Sequence, residues 1–214
     1  MKARRRLAVL AGHRGDAESA AALARDGDPS VRAAALGALA RSGAMDTGML
    51  VGALSDPDPL VRIRASKLSG MTAQRATEGD AVERPPSDLL EALTGATCDS
   101  EPEVAESAAW ALGEWGDACP PAAGAALRAM ASGHTDPLCR EAAVAALGAA
   151  RVVGAVPVLL AALKDKVAVR RRAVIALSAF DDPRVEGAMR SCLGDRDWQV
   201  RQAAEDLLDQ PEAP

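Results

Sequence analysis

The chain has 214 residues and a net charge of −5, so no broad excess of positive charge draws it toward nucleic acid or anionic membranes. Nearly half of it is apolar, yet it has no tyrosine, one phenylalanine (Phe180) and three tryptophans (Trp110, Trp115, Trp198), with alanine everywhere. Alanine favours helix and lets helices approach closely, which suits thin helical layers better than one large globular core.

In chain order, the basic start Met1 to Arg6 and the apolar Leu7-Ala8-Val9-Leu10-Ala11-Gly12 have the outline of a secretory signal. The apolar run is short and passes straight into His13-Arg14-Gly15-Asp16, so residues 1–15 are expected to form a capping helix instead. No segment reaches the ~20 apolar residues needed to cross a bilayer. The four cysteines (Cys98, Cys119, Cys139, Cys192) make no CxxC pair. Free buried thiols in a cytoplasmic protein are the expectation.

From Asp28 onward one phrase returns. Asp28-Pro29-Ser30-Val31-Arg32-Ala33-Ala34-Ala35 reappears as Asp58-Pro59-Leu60-Val61-Arg62-Ile63-Arg64-Ala65, then as Glu101-Pro102-Glu103-Val104 and Asp136-Pro137-Leu138-Cys139-Arg140. Looser copies begin at Val169-Arg170-Arg171-Arg172-Ala173 and Val200-Arg201-Gln202-Ala203-Ala204. With Val or Cys as the anchor, the copies sit at 31, 61, 104, 139, 169 and 200, a basic period of about 30 residues. Each copy reads as two helices. The second starts at the anchor behind an Asp-Pro cap and carries small or apolar residues four, seven, eight and eleven positions on, one face of a helix. First helices are expected near 17–25, 46–55, 88–97, 122–132, 153–163 and 184–193. Residues 16–72 thus form copies one and two, and 88–210 copies three to six, followed by a tail at 211–214. The polar, Pro-containing stretch from Met71 to Ser87, centred on 73–87, exceeds the period and is expected to be an exposed loop.

The Asp-Pro-x-Val-Arg-x-x-Ala-x-x-Ala-Leu pattern resembles the HEAT family, and within it the short-repeat branch first described in phycobilisome lyases. The resemblance covers nearly the whole chain. It implies an all-α, right-handed α-solenoid of about six helical pairs plus the N-terminal cap, a single domain over 1–214. It also implies that second helices line a concave face and that an aspartate and an arginine six residues apart form a polar ladder. The matching residues are Asp26/Arg32, Asp56/Arg62, Asp165/Arg170 (one residue shorter) and Asp195/Arg201. The third copy has Asp99 but Ala105, and the fourth has His134 before Arg140. Asp99 and Arg140 are therefore expected to pair with each other, with His134 a substitute in the ladder.

Catalytic constellations are missing from the sequence. HEAT-type iron hydroxylases use His-Glu dipeptides, whereas His13 and His134 are followed by Arg14 and Thr135. The cysteines lack zinc spacing, and there is no Gly-rich phosphate loop or Gly-x-Ser-x-Gly elbow. No enzyme, no metal and no cofactor are expected. Second-helix positions facing away from the core carry Ile63, Lys67, Met71, Glu106, Trp110, Glu114, Glu141, Arg171 and Ile175. The centre of that face is acidic, so nucleic acid, which needs converging cations near Arg4 to Arg6 or Arg170 to Arg172, is the weaker partner.

The apolar members of the face suit a protein interface, with Trp110 as its anchor or else packed across Ala145. Trp115 is expected in the core, and Trp198 as a closure of the last copy. The function expected is a non-catalytic scaffold or adaptor, a monomer holding a basic or amphipathic helix of a partner protein. The alternative is a lyase-like or chaperone-like module handling a cofactor or modified protein.

Overall fold

The computed structural model describes residues 2–78 and 86–208. Every regular element among them is helical: α1 (Lys2–Arg14), α2 (Ala17–Leu23), α3 (Pro29–Arg41), α4 (Thr47–Leu54), α5 (Pro59–Glu78), α6 (Ser87–Ala96), α7 (Pro102–Glu114), α8 (Pro121–Gly133), α9 (Pro137–Ala149), α10 (Val156–Ala162), α11 (Val167–Leu177), α12 (Pro183–Cys192) and α13 (Trp198–Leu208), with a short 3-10 turn Gly116–Ala118. The arrangement is an α-solenoid of helix pairs behind the capping helix α1. Its chain falls into two compact units, Met1–Ala111 and Leu112–Pro214.

Local chemistry explains where the helices start. Asp28, Asp136 and Asp182 each accept a hydrogen bond from the backbone N–H two residues on, across a proline whose missing N–H costs nothing in the first turn. Asp58 does the same for Leu60 ahead of α5. In the shortened fifth copy Asp165 accepts from Lys166 N–H, and α11 begins without a side-chain cap.

The anchors form the core: Val31, Val61, Val104, Cys139, Val169 and Val200 are all at most 2 % exposed. Four residues after each stands a fully buried alanine (Ala35, Ala65, Ala108, Ala143, Ala173, Ala204). Leu39, Leu112, Leu147 and Leu177 supply the bulk one turn further on. In unit 1, α3 packs on α1, α2 and α5; in unit 2, α11 packs on α9, α10 and α13. Second helices thus lie directly on second helices.

Their approach is set by glycines the repeat phrase does not contain. Gly70, Gly113 and Gly148 stand nine residues after their anchors, and Gly12 holds the same register in α1. A Cβ on Gly12 or Gly148 would stand 2.7 Å from the Cα of Ala38 or Ala176 in the adjoining second helix. On Gly113 it would stand 3.0 Å from the Cα of Ala146. These are backbone-on-backbone contacts, closed to any larger side chain.

Expectations change for the inserted stretch, for Trp198 and for Trp115, which was expected in the core. The helix before the inserted stretch runs on, since α5 continues through 73–78 where a loop was expected, and 79–85 and 209–214 lie outside the described residues. Trp198 does not close the last copy: it occupies the first turn of α13 and is 63 % exposed. Trp115 follows α7 half-buried, with its indole Nε1 shielded from solvent and without an acceptor. All four cysteines are free thiols, but only Cys139 and Cys192 are buried as expected; Cys119 is half-buried and Cys98 exposed.

Candidate partner-binding face

The polar ladder is built across copies, not within them. Arg32 sends Nε and Nη2 to the two carboxylate oxygens of Asp56, at 2.9 and 2.7 Å. Arg62 makes the same fork on Asp99 at 2.8 and 2.9 Å. In unit 2, Arg140 holds Asp165 at 2.6 and 2.7 Å and Arg170 holds Asp195 at 2.9 and 2.8 Å. The remaining Nη1 of each arginine donates to the backbone carbonyl of its own copy: Asp26, Asp56, His134 and Asp165. Arg201 donates to the carbonyl of Asp195, and Arg4 of the capping helix donates to the Asp26 carboxylate. Such paired, charge-assisted bonds fix direction as well as distance.

The expected pairing of Asp99 with Arg140 is therefore overturned. Asp99 belongs to Arg62, and Arg140 belongs to Asp165. In the register of the repeat, Ala105 takes the position of a ladder arginine and His134 that of a ladder acid. His134 keeps the other duty of its position. Its Nδ1 accepts from Asp136 N–H at 3.1 Å, as Asp26, Asp56 and Asp195 accept from the N–H two residues on.

The forks tie stability to acid. Their arginine hydrogen bonds, opposed by burial, hold the Asp165 and Asp195 carboxyls below the ordinary aspartate value. A depressed folded pKa contributes stability that is present above the unfolded value of about 4 and is lost as pH falls through that value toward the folded one. The urea midpoint should accordingly drop as pH falls from about 4 to 2. The drop should be shallower in Asp195→Asn; equal slopes in the two proteins would remove the forks from the explanation.

On the second-helix face of unit 1, Trp110 turns back onto the preceding second helix. Its ring lies on Gly70, where a Cβ would collide with it, and the indole stays half-buried. Met71 beside Gly70 is 40 % exposed and Ile63 half-buried. Lys67 is exposed and reaches Glu103 at 3.3 Å, and Glu106 is half-buried. In unit 2, Ile175 is 44 % exposed, Glu141 meets Arg172 at 3.4 Å and Arg171 meets Gln199 at 3.4 Å. Glu114 is half-buried at the end of α7. Arg170, Arg171 and Arg172 thus go to three different partners and do not form one basic surface. Sequence reasoning gave no role to Arg41 or Arg64, whose guanidiniums lie over Gly12 and Gly37; the two stand at different registers in their copies, so no spacing announces them.

A family model of HEAT repeats matches residues 70–148, 86–168 and 156–208. The chain belongs to the HEAT-repeat family. No curated protein matches it. Among solved structures, this HEAT chain is similar to YibA of Escherichia coli, at 18 % identity over 89 % of this chain and 69 % of that one, with a TM-score of 0.65. It is also similar to the CpcE–CpcF complex of phycocyanin lyase from Nostoc, at 22 % identity over 90 % and 75 % of the two chains and a TM-score of 0.61. A third similarity is to the structure of Kap95p with RanGDP, at 15 % identity over 90 % of this chain but 29 % of that one, with a TM-score of 0.60. At these identities the likeness is one of HEAT architecture.

Within this HEAT fold no described helix is long and apolar enough to cross a membrane. Among the described residues no group of His, Cys, Asp and Glu converges as a metal site. Burial raises the Cys119 thiol, and burial followed by the charge of Asp195 raises that of Cys192. Both are held toward the unreactive thiol form.

Proposed function

We propose that the chain is a non-catalytic scaffold or adaptor that holds an amphipathic helix of a partner protein on its second-helix face. The supporting observation is Trp110. A rigid indole is seated on Gly70 while part of its surface stays open, with Met71 exposed on the same helix as that glycine. An aromatic side chain fixed in advance loses little freedom on binding, which is how interface anchors gain their effect. Half-buried Glu106 and exposed Lys67 give the surroundings a polar rim suited to a transient protein contact. The similar folds of the CpcE–CpcF complex and of Kap95p with RanGDP are found in protein assemblies, which fits the same use here.

The test is affinity purification from the source organism with the wild-type chain, Trp110→Ala and Trp198→Ala, read by quantitative mass spectrometry. A partner recovered by wild type and Trp198→Ala should fall at least ~30-fold with Trp110→Ala, the effect of losing a ~2 kcal/mol anchor. Circular dichroism should show helicity retained. Equal recovery in all three proteins rejects Trp110 as the anchor. A purified protein that carries a visible chromophore or a stoichiometric metal would reject the scaffold reading in favour of a cofactor-handling module.

A further inference from the structure

Arg64 leaves α5 three residues after the anchor Val61, and its half-buried guanidinium lies across the bare backbone of Gly37 in α3, where a Cβ would collide with Nη2. Arg41 repeats the gesture one helix back, with its Nη2 2.6 Å from where a Cβ on Gly12 would be. Among the described residues neither guanidinium pairs with a carboxylate. Burial first, and then the charge of Arg41, hold the basicity of Arg64 below its ordinary value. A cation half out of water beside a second cation is an expense that an anion would relieve.

Unit 2 shows the same position with its anion supplied. Arg172 also stands three residues after an anchor, Val169, and its Nη2 is 3.4 Å from Oε1 of Glu141. Glu141 lies two residues after the anchor of the preceding copy, Cys139. The residue in that register ahead of Arg64 is Ala33, which is buried and offers a methyl in place of a carboxylate. Unit 1 therefore keeps the arginine over the bare backbone of Gly37, adds Arg41, and leaves out the acid.

We propose that Arg41 over Gly12 and Arg64 over Gly37 form a carboxylate site that receives a glutamate or aspartate side chain from an acidic segment of the partner protein. The proposal rests on the reading of the second-helix face as a partner-binding wall and gives the partner its chemistry at the α3 end of that wall. A carboxylate is the anion favoured because the chain itself places one in this register in unit 2, and because the guanidinium fork matches it.

The test is a titration of the ¹⁵N-labelled full-length chain with an acetylated tri-glutamate peptide at constant ionic strength, following the side-chain Nε–H resonances of Arg41 and Arg64. Both should shift saturably, and an acetylated tri-lysine peptide should leave them in place. Arg64→Met should weaken binding at least fivefold. Ala33→Glu, which restores the internal acid, should do the same and raise the melting temperature. Absence of a saturable shift, or unchanged affinity in Arg64→Met, overturns the site. So does inorganic phosphate binding as tightly as the peptide, which would mark a general oxyanion site.

Trp110 contributes to none of these readouts. Peptide binding that fails while capture still depends on Trp110 rejects the carboxylate site alone. Peptide binding that persists while capture ignores Trp110 rejects that anchor alone.

Discussion

Replacing Arg170 with methionine should destabilise the protein by about 2–4 kcal/mol, the cost of leaving the half-buried Asp195 carboxylate and a backbone carbonyl without their donor. The side chain is among the least exposed polar groups of the fold, 5 % accessible, and it serves three acceptors. Nε and Nη2 hold the Asp195 carboxylate, and Nη1 satisfies the carbonyl of Asp165. Methionine fills the volume and abandons all three. For a chain of this size that loss corresponds to a fall of roughly 10 °C in melting temperature, read by calorimetry or circular dichroism. Asp195→Asn added to Arg170→Met should recover part of the loss, because no half-buried charge is then left unpaired while the acceptor for Asp197 N–H remains. The exposed Arg190–Glu186 pair is the comparison: Arg190→Met should leave the transition where it was. A small effect at Arg170, no greater than that at Arg190, would mean that the ladder orients the copies without stabilising them.

The second large effect is a reversal of sign between two helical glycines. Gly187, inside α12, has nothing within 4 Å of the space a Cβ would take. Gly187→Ala should therefore stabilise by about 0.5–1 kcal/mol, the ordinary benefit of alanine over glycine in a helix. Gly148 meets the Cα and Cβ of Ala176, each at 2.7 Å from the same hypothetical atom, and the Ala176 carbonyl oxygen at 3.2 Å. Two of those three neighbours are backbone, so α9 and α11 must part to admit a side chain. Gly148→Leu should cost at least ~2–3 kcal/mol despite its better helix propensity. Urea unfolding of both variants checks the pair, and stabilisation by Gly148→Leu would show that the helices can separate freely.

Much of this architecture was legible because it repeats. The anchor register identified the buried valines and Cys139 directly, and the Asp-Pro phrase placed the starts of α3, α5 and α9. The ladder was legible in membership but not in direction. An aspartate and arginine six residues apart invite pairing, yet that proximity is satisfied through the backbone carbonyl, while the carboxylate comes from 24, 25 or 37 residues away. Trp110 could be assigned to the second-helix face by its register. The glycine that seats its ring lies on another copy, and only packing brings the two together. Trp198 was misread because its bulk suggested a closure, whereas it takes the helix-start position that Pro29, Pro59, Pro102 and Pro137 hold elsewhere, none of them buried. Arg64 went unnoticed because an arginine on a helix is unremarkable until its register-mate Arg172 is seen holding an acid.

The forks also give the chain a joinery with a plug and a socket. Every ordinary copy presents its guanidinium forward and its carboxylate backward, so a copy duplicated whole would fit its neighbours on both sides with no new chemistry. A copy deleted whole would let the flanking pair mate. Cutting inside a copy, between its acid and its base, would strand one of each. Growth and shrinkage of such a chain are thereby channelled into steps of complete modules, except in the copy where Ala105 replaces the plug and in the copy where His134 replaces the socket.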